Sequence, residues 1–310
     1  MINKSSKIYV AGHNGMVGSD VLNEFKSNGF KHIIYKSSKE LDLRNQNQVN
    51  DFISKEKPDL IINAAAVVGG ILANDKNPYK FLMDNMLIQN NIIDAAVKNK
   101  IENFFFLGSS CIYPKFSKQP IKEEYLLTDS LEQTNQWYAI AKISGVKLIE
   151  SIRKEYGFNY VSFMPTNLYG PNDNFDPETS HVLPGLISKF HKAKLNNSKF
   201  VELWGDGTPL REFLHVNDLS KALFFATSKE LNDSIYNVGS EDEVSIKDLA
   251  DLISKKTGFK GDIIWNKNFP NGTPRKKIDS SKLNKLGWNP QIRLSEGIDE
   301  VYKWYIKNTK

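Results

Sequence analysis

The chain has 310 residues, of which 40% are hydrophobic, enough for the core of one large domain or of a main domain with a smaller partner. Its formal net charge is +5, but the lysines are scattered, so the concentrated basic stripe that nucleic-acid binding needs is missing. No apolar run approaches the roughly 20 residues of a membrane span. A single cysteine excludes a disulfide within the chain, so we expect a reducing, cytoplasmic setting.

The first half of the sequence alternates short apolar runs with helical patterns. The apolar runs predict buried strands at Lys7–Gly12, His32–Tyr35, Asp59–Ala65, Asn103–Leu107 and Tyr160–Met164. The helical patterns between them cover Met16–Asn28, Val49–Lys57, Tyr79–Lys98 and Tyr138–Tyr156. Strands that alternate with helices are typical of a doubly wound parallel α/β sheet. We therefore predict a Rossmann-type main domain over residues 1–170.

The pattern becomes irregular after Tyr169. The later segments are predicted as a Pro- and Asp-rich loop at Asn172–Ser180, a small unit at His181–Trp204, a helix and a strand that rejoin the main sheet within Phe213–Ser228 and Ile235–Val238, and peripheral helices at Ser245–Thr257 and Pro290–Tyr305. Ligands of such sheets bind beyond the carboxyl ends of the strands. We expect residues 212–238 to return to the main domain. Residues 171–211 and 239–310 are expected to form a smaller α/β substrate-binding domain over that crevice.

A glycine-rich turn follows the first predicted strand and opens the first helix. Gly12, Gly15 and Gly18 form G-x-x-G-x-x-G, which allows a tight turn, close backbone approach to a pyrophosphate and close helix–strand packing. The free amides at the helix N-terminus favour the phosphate charge. This turn predicts dinucleotide binding, rather than a plain turn, through Gly12, Asn14, Gly15, Met16, Val17 and Gly18.

The end of the second predicted strand bears on the choice between NAD and NADP. An acidic residue there binds the ribose hydroxyls and repels a 2′-phosphate. Here the segment carries Lys36, Ser38 and Lys39, with no acid before Glu40. If these lysines are more than surface residues, they suit a phosphate, and we predict NADP. Asp42 is then placed for the adenine amino group.

Tyr138 and Lys142 are spaced i, i+4 on a predicted helix and so share one face. A free tyrosine has a pKa near ~10, and an adjacent lysine and an oxidised nicotinamide both favour the phenolate. Ser109, just after the fourth predicted strand, can hydrogen-bond the same substrate oxygen. The three residues predict proton transfer coupled to hydride transfer.

Over nearly its whole length the chain resembles the extended short-chain dehydrogenase/reductase family. The fingerprints are Gly12–Gly18, Asn63–Ala66, Leu107–Ser110 and Tyr138–Lys142. The resemblance implies further cofactor contacts at Ala64, Ala65, Leu107, Pro165, Asn167, Leu168 and His181. In this family two long helices, here Tyr79–Lys98 and Tyr138–Tyr156, pair with their copies, which implies a homodimer.

Longer sequence segments indicate which members of this family the chain resembles. They are Gly12–Ser19, Gly108–Lys115, Met164–Pro171, Ser180–Val182, Trp204–His215 and Gly272–Lys276. They are similar to the members that epimerise GDP-4-keto-6-deoxymannose at C3 and C5 and then reduce its ketone with NADPH. The resemblance adds Cys111 and His181 to the catalytic residues, as the groups that exchange protons with carbon. Both residue types titrate near neutrality when perturbed, although packing is the ordinary role of a cysteine and of a loop histidine.

The same resemblance implies a GDP site. Arg211, Lys189 and Lys276 are candidates for the diphosphate, Trp204 for stacking on guanine, and Asn167 and Val182 for the sugar and base. No metal site is assigned. Family members often hold the 2′-phosphate with arginines where this chain has Asn14 and Ser38, so Lys36 and Lys39 are expected to replace them. Position 189 is often arginine in the family, so the phosphate contact of Lys189 is expected to be less directional.

Two other interpretations stay open. One is a different sugar-nucleotide epimerase, dehydratase or reductase of the same fold. A 4-epimerase needs no pair such as Cys111 and His181, and a dehydratase normally carries acidic residues beside the catalytic serine, where this chain has Ser110 and Cys111. The other is a non-catalytic NADP sensor or scaffold, a class that typically loses the tyrosine or the lysine.

Overall fold

The structure, a computed structural model, describes residues 2–176, 179–269 and 271–308. Pro177 and Glu178, in the expected loop Asn172–Ser180, lie outside the described residues. The strands are β1 Ile8–Ala11, β2 Ile33–Ile34, β3 Leu60–Asn63, β4 Asn103–Leu107, β5 Asn159–Pro165, β6 Asn167–Tyr169, β7 Phe200–Trp204, β8 Leu210–His215, β9 Ile235–Val238, β10 Glu243–Ser245, β11 Asp262–Asn266 and β12 Arg275–Lys276. The helices are α1 Met16–Ser27, α2 Gln46–Glu56, α3 Ile71–Lys76, α4 Pro78–Lys98, α5 Gln136–Tyr156, α6 Val182–Leu195, α7 Val216–Ala226, α8 Ile246–Thr257, α9 Ser281–Lys285 and α10 Leu294–Asn308.

Six strands form one parallel sheet in the order β2-β1-β3-β4-β5-β9. Alternating side chains of a strand point to opposite faces. Ile8 and Val10 accordingly join the hydrophobic cluster on one face, and Tyr9 and Ala11 join the cluster on the other. A sheet buried on both faces needs nearly continuous apolar strands, as in β4, Asn103–Leu107. The predicted doubly wound parallel sheet is confirmed.

Some boundaries differ from the sequence predictions for local reasons. Helix α2 begins at Gln46, before the predicted Val49, because the side chain of Asn45 caps it by accepting a hydrogen bond from the Gln48 amide. The predictions missed the short α3 and the strands β6, β10, β11 and β12. These strands contain two to five residues and carry little periodicity of their own.

A third hydrophobic cluster lies apart from the main sheet and joins α6, α8 and α10 with β7 and β8. Strand β8 pairs with β6, β10 and β12, and β7 pairs with β11. The first residues of the stretch Phe213–Ser228 therefore do not return to the main sheet as expected. Its residues up to His215 are the end of β8 in the smaller sheet, and the return to the main sheet is made by α7, which packs on α1, and by β9. We propose that residues 1–170 with α7 and β9 form one domain and the remaining segments the other.

The long helices α4 and α5 pack side by side, and together they leave apolar side chains on the surface. Tyr79, Met83 and Leu87 lie at i, i+4 and i+8 on α4, and they are 74%, 38% and 37% exposed. Trp137 and Ile140 on α5 are 37% and 40% exposed. Within the described ranges, no helix is both long and apolar enough to cross a membrane.

Candidate active site

The glycine-rich turn has the geometry of a dinucleotide cradle. Gly12 has a φ of +86°, and a Cβ there would lie 2.7 Å from the Ala65 amide nitrogen. A Cβ on Gly18 would lie 2.1 Å from the Gly12 carbonyl oxygen, so helix and turn approach as closely as glycine alone permits. Gly15 is the N-cap of α1, whose first turn carries no acidic residue. Free amides and the positive end of the helix dipole therefore face a phosphate, and the turn fits a dinucleotide.

The loop after β2 differs from the simple phosphate site expected there. The Glu40 carboxylate folds back and accepts hydrogen bonds from the amide and hydroxyl of Ser37 at 2.8 and 2.7 Å and from Lys36 Nζ at 3.2 Å. These bonds, the Ser37 hydroxyl first, lower the pKa of Glu40 to about 2. Glu40 follows the residues that the sequence offered for the phosphate, yet in the structure its carboxylate binds Lys36. Asn14, Ser38 and Lys39 are exposed.

Asp42, expected at the adenine amino group, already contacts a cation. Its two carboxylate oxygens accept hydrogen bonds from Arg44 Nε at 3.0 Å and from Nη2 at 2.9 Å. These hydrogen bonds, followed by the charge of Arg44, lower the pKa of Asp42. Arg44 is exposed and Asp42 is partly exposed, so an adenine contact of Asp42 would be shared with Arg44.

Ser109, Tyr138 and Lys142 come together beyond the carboxyl end of β4. Lys142 is 2% exposed, donates a hydrogen bond from Nζ to the Leu107 carbonyl oxygen at 2.8 Å, and places Nζ 5.9 Å from the centre of the Tyr138 ring. Burial lowers the pKa of Lys142 to about 7. The pKa of Tyr138 is raised by burial and by the neighbouring Cys111, despite a hydrogen bond from Ser109. The lowered tyrosine pKa expected with an oxidised nicotinamide beside it stays a prediction, since in the protein without cofactor the pKa is raised instead. The effect of burial on the Tyr138 pKa outweighs that of Lys142, whose own pKa of about 7 leaves it only partly charged at neutral pH.

The thiol of Cys111 lies in the same crevice as these residues. Cys111 belongs to the short 3₁₀ turn Ser110–Ile112, and its amide donates to Ser109 Oγ at 3.2 Å. Lys276 Nζ donates to Cys111 Sγ at 3.1 Å. Burial alone raises the pKa of the thiol, but the charge of Lys276, the hydrogen bonds from Ser109 and Lys276, and the charge of Arg211 together lower it. Cys111 is therefore in a setting that favours the thiolate.

His181 is the N-cap residue of α6, and Val182 is the first residue of that helix. Both are exposed to solvent. The surrounding protein atoms, followed by the positive charge of Lys276, lower the pKa of His181. The charge of Lys276 therefore lowers the pKa of both Cys111 and His181, the two groups expected to exchange protons with carbon.

The remaining predicted cofactor residues occupy the carboxyl ends of adjacent strands. Ala64 and Ala65 follow β3, and the Ala65 amide donates to Asn63 Oδ1 at 3.1 Å. Leu107 ends β4, Pro165 ends β5, and Asn167 and Leu168 lie in β6. The Asn167 side chain donates to the Glu212 carbonyl oxygen at 2.8 Å and is thereby fixed between the two sheets.

The residues expected to bind GDP divide into two groups. Arg211 and Lys276 are register partners on the paired strands β8 and β12, and Arg211 Nη1 also donates to the Thr273 carbonyl at 2.6 Å. The other group is at β7, which ends at Trp204 and whose Glu202 carbonyl accepts a hydrogen bond from Nζ of Lys189 on α6 at 2.9 Å. Lys276 contacts the Cys111 thiol and Arg211 acts on it through its charge, whereas Trp204 is 51% exposed.

Sequence reasoning missed two residues that shape this site. Phe269 stacks on Trp204 with ring centroids 4.6 Å apart and an interplanar angle of 13°, so one face of Trp204 is already covered. Glu212 is fully buried and accepts the Glu241 amide at 2.8 Å and the Ile278 amide at 3.1 Å, which ties β8 to the chain just after Lys276. In the sequence, the only signal for Glu212 was its place as an acidic residue within the segment Trp204–His215.

Comparisons with known proteins agree with this geometry. Residues 8–239 match the model of the NAD dependent epimerase/dehydratase family. GDP-L-fucose synthase 1 of Arabidopsis thaliana is 51% identical over 99% of this chain and 95% of its own length, and GDP-L-fucose synthase of Escherichia coli is 44% identical over 97% of both. The solved structure of a GDP-mannoheptose C4 reductase from Campylobacter jejuni with NADP bound is 34% identical, with a TM-score of 0.91 and coverage of 99% of this chain and 100% of that one.

Proposed function

The chain belongs to the NAD dependent epimerase/dehydratase family, and from that premise we propose that it converts GDP-4-keto-6-deoxy-D-mannose into GDP-L-fucose. The reaction comprises epimerisation at C3 and C5 and then reduction of the 4-keto group. The family membership confirms the resemblance drawn from the sequence motifs. The cofactor is NADP, which fits the glycine cradle and is named in the solved structure of the Campylobacter jejuni reductase.

The observation that carries this proposal is the Lys276–Cys111 contact beside Ser109 and Tyr138. Reduction of a ketone needs only the Ser109, Tyr138 and Lys142 set. A thiol held next to a cation is an additional acid–base group, and inversion of a carbon centre requires one. The crevice therefore contains the groups for both halves of the reaction.

In the reduction, the hydroxyl groups of Ser109 and Tyr138 hold the ketone oxygen. Tyr138 is protonated at neutral pH because burial raises its pKa, so it can give its proton to that oxygen as the alcohol forms. Lys142 fixes the end of β4 through the Leu107 carbonyl and lies along the ring of Tyr138. When bound at the cradle, NADPH supplies the hydride.

In the epimerisation, the ketone acidifies the protons on both flanking carbons. Cys111 and His181 then remove and return these protons, so that each centre is inverted through an enediolate. Arg211 holds the diphosphate bidentately, with Lys189 and Lys276 as further cations, and the exposed face of the Trp204–Phe269 pair stacks on guanine. Asn167 and Val182 line the sugar and base sites.

A reductase without epimerase activity is the second candidate, because the Campylobacter jejuni neighbour is named a C4 reductase. Incubation with GDP-4-keto-6-deoxymannose and NADPH in heavy water separates the candidates. Our proposal expects NADPH oxidation and GDP-L-fucose with deuterium at C3 and C5. NADPH oxidation without deuterium at carbon would show a reductase only, and no oxidation would leave a non-catalytic protein of this fold.

We also propose that the protein is a homodimer in a reducing, cytoplasmic setting. The exposed apolar side chains of α4 and α5 form a face that a second copy can cover with the same face. The single cysteine excludes a disulfide within the chain, which fits a reducing compartment.

A further inference from the structure

We propose that Lys276 is a positioning residue that keeps the Cys111 thiol ionised, so that Cys111 is ready to accept a proton from substrate carbon. The sequence assigned Lys276 to the diphosphate alone. In the structure Lys276 also contacts the Cys111 thiol. The use of the thiolate in turnover rests on the proposed function, but the contact itself and its test in the free protein do not.

The contact is direct and involves a cation that has no competing acid. Lys276 Nζ lies 3.1 Å from Cys111 Sγ, and Lys276 has no carboxylate partner within the described ranges. Two neighbouring cations are already paired with acids. Lys115 Nζ lies 2.8 Å from Glu132 Oε2, and Arg275 is bound to Glu243. Neither of them therefore competes with Lys276 for the sulfur.

The other ionisable groups around the thiol act in known directions. Arg211, the register partner of Lys276 on β8, adds a second positive charge. Tyr138 on α5 is neutral at neutral pH because burial raises its pKa, so it does not oppose the thiolate. The surrounding protein atoms and the charge of Lys276 lower the pKa of His181, so it adds no full positive charge at neutral pH. The thiolate thus depends on Lys276 and Arg211, of which only Lys276 contacts Sγ.

The packing holds this pair in place. Strand β12 carries Lys276 and pairs with β8, and Glu212 of β8 accepts the amide of Ile278 just beyond it. Cys111 and Lys276 both border a small cavity of about 30 Å³. The ammonium and the sulfur face each other in a partly buried setting, where a charge pair is stronger than in bulk water.

The proton transfer that this arrangement favours is balanced. The C–H bond next to the ketone breaks, an S–H bond forms on Cys111, and the electron pair of the C–H bond moves into the enediolate at the ketone oxygen. Lys276 keeps its own proton throughout. Because it favours the thiolate, it extends the pH range of this step toward the acid side.

The test is the pH dependence of alkylation of the protein without substrate. Iodoacetamide reacts with thiolate, and Cys111 is the only cysteine, so all label reports on this site. Lys276→Gln should move the inflection of the alkylation rate to higher pH and slow alkylation about tenfold near neutral pH. Lys276→Arg should restore most of the rate, and Lys277→Gln, the same charge change one residue away, should leave it unchanged.

Turnover separates this role from diphosphate binding. In heavy water, Lys276→Gln should shift the acid limb of carbon deuteration to higher pH, in addition to any rise in KM for the GDP-sugar. An unchanged alkylation profile with only a raised KM would overturn the proposal and leave Lys276 as a phosphate ligand. Slower alkylation in Arg211→Gln but not in Lys276→Gln would overturn it as well. A protein that alkylates as expected but does not turn over this substrate would refute the proposed function alone.

Discussion

At the scale of single residues, Cys111 separates the two halves of the proposed reaction. Cys111→Ser keeps the shape of the side chain but gives a group that ionises far less readily. We expect deuterium exchange at the carbons flanking the ketone to fall by about 100-fold or more, the usual scale for loss of a general base, while reduction by the Tyr138 and Lys142 set continues. The product should be a reduced sugar without full inversion, identified by mass spectrometry and NMR.

His181 variants are the complementary measurement, since a proton removed on one face of the carbon requires a donor on the other. If Cys111→Ser exchanges deuterium and epimerises like the parent protein, the thiol only packs, and the base lies elsewhere.

Lys142 gives a residue-scale prediction about stability. An unfolded lysine has a pKa near ~10.4, whereas burial lowers the pKa of Lys142 to about 7 in the folded protein. Between these values the unfolded chain binds the proton and the folded chain does not. The free energy of unfolding should therefore rise from about pH 7 to about pH 10, by at most about 1.4 kcal/mol per pH unit from this group.

Denaturant unfolding of the protein without cofactor, compared with Lys142→Met, measures this effect. The variant should lose the rise, because methionine keeps the apolar stem without a titrating group. Lys147→Met is the matched control on the same helix, where the lysine is exposed and paired with Glu150. Parallel pH profiles for the parent and Lys142→Met would contradict the lowered pKa.

At the scale of elements, the loop between β2 and α2 decides how well the 2′-phosphate is held. The Glu40 carboxylate accepts hydrogen bonds from Lys36 and from the amide and hydroxyl of Ser37. These three donors are the ones best suited to a phosphate. Glu40→Gln should release them and remove a repelling charge. We expect NADPH affinity to rise about three- to tenfold relative to NADH in Glu40→Gln, and to fall in Lys36→Ala.

Fluorescence titration with both cofactors measures the ratio of affinities. Asp51→Asn, which neutralises an exposed acid on α2, controls for the general change in charge. If Glu40→Gln leaves the ratio of NADPH to NADH affinity unchanged, the loop binds the phosphate without these donors.

At the scale of the whole molecule, the α4–α5 face predicts the state of assembly. Leu87 is 37% exposed in the middle of this face, so Leu87→Glu would place a charge in the proposed interface between two copies. We expect this variant to be monomeric by analytical ultracentrifugation at a concentration where the parent protein is dimeric, because an uncompensated buried charge opposes association.

Ile306→Glu is the matched control, since Ile306 is 50% exposed on α10, away from this face. It should sediment like the parent. A parent protein that is monomeric, or a Leu87→Glu variant that stays dimeric, would exclude α4 as the interface.

Local sequence patterns were sufficient to predict the parallel sheet and the parts of the site whose residues lie a few positions apart in the chain. The confirmed sheet follows from apolar runs that alternate with helical periodicity, and the glycines of the turn and the i, i+4 pair Tyr138 and Lys142 are close in space because they are close in the chain. The tertiary structure alone decided the contact of Lys276 with Cys111, which joins residues 165 positions apart, and the stacking of Phe269 on Trp204. It also decided the ionisation of Tyr138, since burial is set by packing from distant segments. Spacing along a chain specifies neighbours on one helix or turn, whereas contacts between distant strands depend on how the two sheets pack.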